Sequence, residues 1–136
     1  MELLYQSNYF TISYDLDNRL FHYIFNENTS LMTDEEYVGE LKVFTDFVSL
    51  HKPKKVLGDM IDFKFTISPE IQEWVNDNLF KVYREIDFEK IAILLSREYI
   101  ASLSIEQTME EDKTNSFKSR YFDDINAARK WLLRDN

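Results

Sequence analysis

Cysteine is absent from the 136 residues, so disulfides, thiolate nucleophiles and cysteine-based metal sites are excluded. Glycine occurs only at Gly39 and Gly58, which excludes the glycine-rich phosphate-binding loops and the G-x-S-x-G nucleophile elbow. The two histidines, His22 and His51, belong to no H-x-x-x-H or H-x-H group, and this disfavours a zinc site. We expect His22 to be a sheet residue with an ordinary hydrogen bond. These absences argue against an enzyme and predict a chain that needs no cofactor and no metal.

Positive charge is also scarce, because 16 Lys and Arg stand against 25 Asp and Glu and leave a formal net charge of -9. This balance opposes binding to nucleic acid, whose phosphates are bound mainly through Lys and Arg. No run approaches the roughly 20 apolar residues that span a bilayer, and the first residues lack the regions of a signal peptide. We therefore expect a cytoplasmic protein without stable membrane insertion. With 44% hydrophobic residues, the chain 1–136 suits a single globular domain.

Strand signals occur at five places along the chain. Aromatic and β-branched residues fill 9–14 and 20–25, and a short polar segment joins them, which predicts a β-hairpin. The runs 55–59 and 90–95 are mostly apolar, as expected of strands inside a parallel sheet. Residues 117–122 are interpreted as an alternating, half-exposed strand, and the charges of Lys118 and Arg120 suit a sheet edge.

Helix signals separate these strands. The S/T-x-x-E capping box at 33–36 predicts a helix over 34–50. A Ser-Pro pair at 68–69 provides an N-cap and a first helical residue for a second helix. A third helix is predicted over 97–107, and one of the two Asp residues at 123–124 caps the last helix.

In chain order these elements read β-β-α-β-α-β-α-β-α. This order predicts an α/β domain with a mainly parallel five-stranded sheet, an N-terminal antiparallel hairpin and four helices. Residues 109–115 are rich in charge and are expected to form a solvated loop. The predicted core consists of Leu41, Phe44, Leu57, Trp74, Ile91, Ile93 and Leu94.

This order of elements, Asp59 at the end of the third strand, and the final segment YFDDINAARKWL at 121–132 resemble one known family. The chain is similar to the SpoIIAA-like branch of the STAS superfamily, named after sulfate transporters and anti-sigma-factor antagonists. The resemblance implies a small, bacterial, non-enzymatic signalling domain. Such a domain acts through a surface that binds a protein partner, or through a ligand pocket as in the related SEC14-like lipid-transfer fold.

One departure from the family pattern concerns phosphorylation. Anti-sigma-factor antagonists of this fold carry a phosphorylatable Ser or Thr directly after the Asp at the strand end. Here Asp59 is followed by Met60, and the nearest equivalent hydroxyl is that of Ser68. The departure disfavours the partner-switching role of those relatives.

The carboxyl ends of parallel strands are the usual binding crevice of an open α/β sheet. Asp59 and Met60 follow one predicted strand, and Ser96 and Arg97 follow another. Helices beginning near Ser68 and Arg97 present free N–H groups that suit an anion, although Ser68 is also accounted for as a cap and Arg97 as a surface pair.

The loop at 60–67 is unusually apolar for a connection. It predicts a lid over the sheet end, a contact patch, or a plug of the core under the second helix. We therefore predict a ligand- or partner-binding site without catalytic residues, composed of Asp59, Met60, Phe63, Phe65, Ser68, Trp74, Ser96 and Arg97.

The function that these patterns favour is non-enzymatic binding of a protein partner or a small apolar ligand at the carboxyl ends of the strands. Two alternatives stay open. One is a small enzyme that uses Asp59 and neighbouring carboxylates, with or without Mg²⁺. The other is a structural homodimer whose interface is the hairpin or the apolar loop.

Overall fold

The structure is a computed structural model that describes residues 1–134. Its sheet contains six strands in the same order as in the chain, with β1, β2 and β3 antiparallel and β3 to β6 parallel. The strands are β1 (Glu2–Gln6), β2 (Phe10–Asp15), β3 (Leu20–Phe25), β4 (Lys55–Asp59), β5 (Lys90–Leu94) and β6 (Lys118–Phe122). The α/β class and the antiparallel hairpin at the N-terminus agree with the prediction.

The sheet has six strands rather than the five predicted, because β1 was missed. This strand pairs with β2 at the sheet edge, and its register shifts between Leu3 and Tyr5. Its side chains are exposed or partly buried, so the segment shows no apolar alternation that would mark it as a strand. The pairing partner, and not the pattern of β1 itself, makes this segment a strand.

Helices fill the connections between the parallel strands. They are α1 (Asp34–His51), α2 (Pro69–Val75), a π turn (Asn76–Phe80), α3 (Lys81–Glu85), α4 (Tyr99–Glu110) and α5 (Ile125–Leu132), preceded by a 3-10 turn (Glu27–Leu31). Because α2, the π turn and α3 are consecutive, they form one helical segment over 69–85. The predicted capping box is present at the start of α1, where Thr33 Oγ1 accepts from the N–H of Glu36 at 3.1 Å.

Two regions differ in extent from the prediction. The third helix begins at Tyr99 rather than at residue 97, and it continues to Glu110 into the segment expected to be a solvated loop. Asp112 in the rest of that segment is also anchored, because its Oδ1 accepts from Arg84 Nη1 at 3.1 Å and its side chain is only 7% exposed. Composition missed this contact because the pairing cation lies on another element. Lys113, Thr114 and Asn115 are exposed and lie outside any helix or strand, as predicted for a solvated loop.

The sheet separates two cores. The helices α1, 69–85 and α4 cover one face, here called the inner face, and α5 covers part of the opposite or outer face. Packing of Ala128, Trp131 and Leu132 from α5 against Leu57 and Leu94 closes the outer core. Of the predicted core, Trp74 is only partly buried, while the other six side chains are buried. Within residues 1–134, no helix combines the length and the apolar character needed to cross a bilayer.

Candidate functional site

A cavity of about 60 Å³ lies in the inner core, between the sheet and its helices. Its walls are aromatic and aliphatic, with contributions from β2, β3, α1, the helical segment 69–85, β5 and α4. One buried water needs roughly 10–15 Å³, so the cavity has room for several waters or for a molecule of a few heavy atoms. The residues that the argument uses are Tyr23, Tyr37, Glu40, Met60, Leu79 and Tyr83.

Tyr83 is a residue of this wall whose hydroxyl is buried without a hydrogen bond within residues 1–134. The side chain is 1% exposed, and its hydroxyl has no hydrogen-bond partner among the described residues. Stacking on Phe88, with ring centroids 4.0 Å apart, and an edge contact with Phe117 at 5.3 Å hold the ring in place. Burial raises the pKa of Tyr83 well above its usual value, so the hydroxyl stays protonated and available as a donor. Leaving a buried hydroxyl unpaired costs about 1–3 kcal/mol, which an acceptor oxygen within hydrogen-bond distance of this group would offset.

The π turn explains why Tyr83 faces the sheet. Ile71, Val75, Leu79 and Tyr83 are all buried and recur every four residues. An α-helix has 3.6 residues per turn, so each step of four overshoots the buried face by about 40°. The π turn over Asn76–Phe80 has more residues per turn than an α-helix, so it reduces this angular overshoot and keeps the four side chains on one face. Single π turns of this kind are frequent at functional sites.

Tyr23 and Gly58 form another wall through an unusually close approach. They are register partners on β3 and β4, and the Tyr23 ring lies across the glycine. A Cβ atom at position 58 would lie 2.5 Å from Cζ of Tyr23, so only glycine leaves the ring its place. The Tyr23 hydroxyl reaches Met60 Sδ at 3.6 Å, and burial, with a smaller contribution from Asp59, raises the Tyr23 pKa. Tyr37 on α1 is also protonated, because burial raises its pKa.

Glu40 is the one charged side chain that lines this cavity within residues 1–134. It is 8% exposed and lies on α1, where its carboxylate accepts from Tyr5 Oη at 2.8 Å and from Ser7 Oγ. Burial and the nearby Glu40 carboxylate raise the pKa of Tyr5. These bonds tie β1 and the following turn to α1, and they leave the cavity with a negative group and no cation on its wall.

A second depression lies where the sequence predicted binding, at the carboxyl ends of the strands. It is an open groove of about 700 Å³, and its lining includes Ser96, Arg97, Phe122 and Asp123. Ser96 Oγ donates to the carbonyl of Phe63 at 2.6 Å, and Arg97 Nη1 pairs with Asp62 Oδ1 at 3.0 Å in an exposed ion pair. Both polar groups therefore have partners within the chain.

The structure does not bring the eight predicted site residues together. Met60 faces inward and lines the core cavity, whereas Asp59, its neighbour on the strand, accepts the N–H of Ile61 at 3.2 Å. Ser68 caps α2, accepting the N–H of Ile71 at 3.3 Å, and Trp74 is partly buried against the inner core.

The apolar loop at 60–67 is a plug of the inner core. Phe63 is 0% exposed and Phe65 is 8% exposed, and their rings lie 5.5 Å and 4.9 Å from that of Tyr37. Of the loop, Met60 and Ile67 reach the cavity. An exposed contact patch, one of the three interpretations of this loop, is therefore not formed.

His22 differs from the expectation of an ordinary hydrogen bond. It lies on β3 on the outer face, and its buried Nε2 atom has no partner among the described residues. Burial is the main cause that lowers its pKa, followed by the charge of Arg129. The charge of Arg129 reaches His22 from α5, 107 residues further along the chain, and the local pattern does not show this.

Sequence reasoning missed Tyr23, Tyr37, Glu40 and Tyr83 as cavity residues. Two signals bear on this set: a glycine inside an apolar strand points to a close approach such as that of Tyr23, and the four-residue period of the second helix leads to Tyr83. Neither signal shows by itself that a cavity is present. No signal in the sequence pointed to Tyr37 or Glu40 as cavity residues.

Carboxylate clusters were the other candidate for chemistry. In the part of the chain that the structure describes, no group of three or more His, Asp or Glu side chains is placed to hold a metal ion.

Comparison with protein-family models, with curated proteins and with solved structures gives no match. The resemblance to the SpoIIAA-like branch therefore rests on the order of elements and on the motifs in the sequence.

Proposed function

We propose that this protein is a non-enzymatic binding domain that holds a small, neutral, largely apolar molecule in its core cavity. The observations that carry the proposal are the apolar cavity in the inner core and Tyr83, a residue of its wall whose buried hydroxyl has no partner among the described residues. Buried polar groups in folded proteins almost always have a hydrogen-bond partner. A bound molecule with an acceptor oxygen would supply that partner.

The wall determines the chemistry of the molecule. Glu40 repels carboxylates, and no Lys or Arg lines the cavity within residues 1–134. The hydroxyls of Tyr23, Tyr37 and Tyr83 are protonated, because their pKa values are raised. The favoured ligand is therefore uncharged and carries a carbonyl, ether or hydroxyl oxygen on an apolar body.

The volume limits the size of the molecule. An engineered apolar cavity of about 150 Å³ binds benzene, and the cavity of about 60 Å³ found here is less than half as large. A ligand of a few heavy atoms fits without rearrangement, and a larger one requires the surrounding side chains to move.

We assign this binding domain to the SpoIIAA-like STAS type and to the cytoplasm as part of the same proposal. Support for the type comes from the alternating strands and helices after β2, from Asp59 at the end of β4, and from the Asp124 cap of α5. The missing hydroxyl after Asp59 favours ligand binding over partner switching. Support for the cytoplasm comes from the absence of cysteine.

Replacing Tyr83 by Phe tests the proposal because it separates stability from binding. Without ligand, Tyr83→Phe should be about 1 kcal/mol more stable than the parent, since an unpaired buried hydroxyl is removed. The same change should weaken binding of 2-butanone, measured by NMR titration, while butyrate should bind neither protein. Tyr99→Phe is the matched control, because Tyr99 is 77% exposed.

Two results would contradict the proposal. One is a Tyr83→Phe protein that is less stable than the parent and binds butanone equally well. The other is native mass spectrometry of protein from its own host that shows no retained molecule, together with no response to any small neutral probe.

A further inference from the structure

The two edges of the sheet differ in regularity. β1 contains a register shift between Leu3 and Tyr5, which interrupts the edge. β6 pairs with β5 over five consecutive residues, and within residues 1–134 no strand pairs with its other side. The edge of β6 is thus an uninterrupted row of backbone groups.

The backbone of β6 shows which groups face outward. The N–H of Lys118 donates to the carbonyl of Glu89 at 2.9 Å, so residue 118 points its backbone groups toward β5. Backbone groups alternate in direction along a strand, so the N–H and C=O groups of Ser119 and Tyr121 point to the open edge. Two donors and two acceptors are available for another strand.

The side chains of this edge carry positive charge on an acidic protein. The five residues of β6 contain one Lys, one Arg and no acidic residue, with Asp123 and Asp124 directly after the strand, whereas the whole chain has a net charge of -9. Lys118 and Arg120 lie on the outer face, both exposed, and neither forms an ion pair within the described residues.

Several cations lie near Lys90, which lies beside the beginning of β6 on the neighbouring strand β5. Its Nζ atom donates to the carbonyls of Trp131 at 2.9 Å and Arg134 at 3.1 Å, so this buried lysine is satisfied within the chain. Burial lowers its pKa, and the next causes are the positive charges of Lys55, Arg134 and Lys118. Lys55, Arg134 and Lys118 therefore lie near Lys90 at the beginning of β6, together with the opposite charge of Glu89.

We propose that the open edge of β6 is the docking site of an extended acidic polypeptide segment. The segment adds as a seventh strand, and its carboxylates at alternate positions face Lys118 and Arg120. Its backbone bonds with Ser119 and Tyr121, and apolar side chains on its other face lie against the half-exposed ring of Tyr121. Glu106 and Glu110 of α4 lie near this ring, so the carboxylates of the segment are confined to the outer face. The charge complementarity selects an acidic sequence, and the edge selects an extended one.

Other occupants fit this edge less well. A second copy of the chain could pair its own β6 with this edge in the antiparallel direction. If the pair is centred on Ser119, Lys118 of one copy faces Arg120 of the other, and if it is centred on Arg120, the two Arg120 side chains face each other. Like charges opposite one another are destabilising. A nucleic acid matches the cations but not the row of backbone donors and acceptors, and the net charge of -9 repels it.

The probe for this proposal is a fluorescein-labelled synthetic peptide with the sequence Thr-Glu-Val-Glu-Val-Glu-Thr, and its binding to the whole protein is measured by fluorescence anisotropy. We expect binding that weakens as salt is added, and no binding of the peptide with Lys in place of Glu. The double variant K118E/R120E should bind about tenfold more weakly or worse. Ser119→Pro removes one outward N–H and should abolish binding, whereas Ser119→Ala should bind like the parent.

Three results would overturn the proposal. They are no peptide binding at about 1 mM protein, equal binding by K118E/R120E, and equal binding by a Ser119→Pro variant that melts cooperatively. A single-stranded DNA or an anionic vesicle that binds more tightly than the peptide, and whose binding Ser119→Pro leaves unchanged, would show a general anion-binding surface instead.

Discussion

Replacing Gly58 by alanine should destabilise the protein, although alanine suits a β-strand better than glycine does. The added Cβ would lie 2.5 Å from Cζ of Tyr23, and it would overlap the hydroxyl of the same ring. The ring has Phe44 and Phe25 at centroid distances of 5.3 Å and 5.6 Å. These two rings restrict its movement, and one direction left to it is the cavity that it lines.

The magnitude follows from two opposing terms. Forcing an extra methyl into a packed site costs about 1–3 kcal/mol. Alanine reduces the conformational entropy of the unfolded chain and offsets about 0.4–1 kcal/mol of that cost. We expect a net loss of about 1–2 kcal/mol for Gly58→Ala and weaker binding of butanone, because the displaced ring occupies part of the cavity.

The second glycine supplies a control of opposite sign. Gly39 lies in α1, and a Cβ built there meets no atom within 4 Å. Gly39→Ala should stabilise the protein by about 0.5–1 kcal/mol, since glycine is a poor helix former. Urea unfolding of both variants measures the two effects, and each kcal/mol should shift the melting temperature by about 3–5 °C.

A double-mutant cycle tests the cause. Tyr23→Leu removes the ring atoms that meet the new methyl, so Gly58→Ala in that background should be neutral or stabilising. If Gly58→Ala is as costly in the Tyr23→Leu background as in the parent, or if it stabilises the parent, the close approach does not explain this glycine and the reasoning fails.

Three further predictions concern the loop, the central strand and pH. Changing Phe63 and Phe65 together to Ser should abolish a cooperative melt, because both rings are buried. Leu31→Ser is the control and should leave the melt unchanged, since Leu31 is 78% exposed. A stable Phe63/Phe65 double variant would contradict the interpretation of the loop as a core plug. Ile93→Asp should unfold the protein, because an unpaired charge in a buried strand costs several kcal/mol, and a melt like that of the parent would show that β5 is not central. Stability should fall as pH rises above about 10, measured as the urea midpoint together with tyrosinate absorbance. Burial raises the pKa of several tyrosines, that of Tyr121 to about 12, so the folded state keeps protons that the unfolded state has lost. Tyrosines that all titrate near pH 10 with no loss of stability would contradict this burial.

Local sequence determined most of the helices and strands. The capping box of α1, the Ser-Pro start of α2 and the apolar run of β5 act over a few residues, so their physics is present in the chain itself. Alternation of strands with helices then leads to a largely parallel sheet. The composition limits the function in a similarly direct manner. The low count of glycine excludes glycine-rich phosphate loops, the absence of cysteine excludes thiolate chemistry, and the negative net charge disfavours nucleic-acid binding.

Contacts between distant segments decided the rest. Residues 2–6 form β1 because β2 offers a pairing partner. Asp112 is anchored by a bond from Arg84, which lies 28 residues earlier in the sequence. Asp59 ends β4 and Met60 follows it, yet only Met60 faces the cavity of the inner core, because successive side chains alternate in direction along an extended chain.

The cavity is a property of the tertiary structure alone. Its walls come from strands and helices that meet only in the folded chain, and an apolar residue beside a void has the same local pattern as one in a filled core. The sequence carried two traces of it, Gly58 within β4 and the four-residue spacing that ends at Tyr83. Whether a buried hydroxyl finds a partner depends on every element packed around it, and for that reason only the tertiary structure reveals that Tyr83 has none among the described residues.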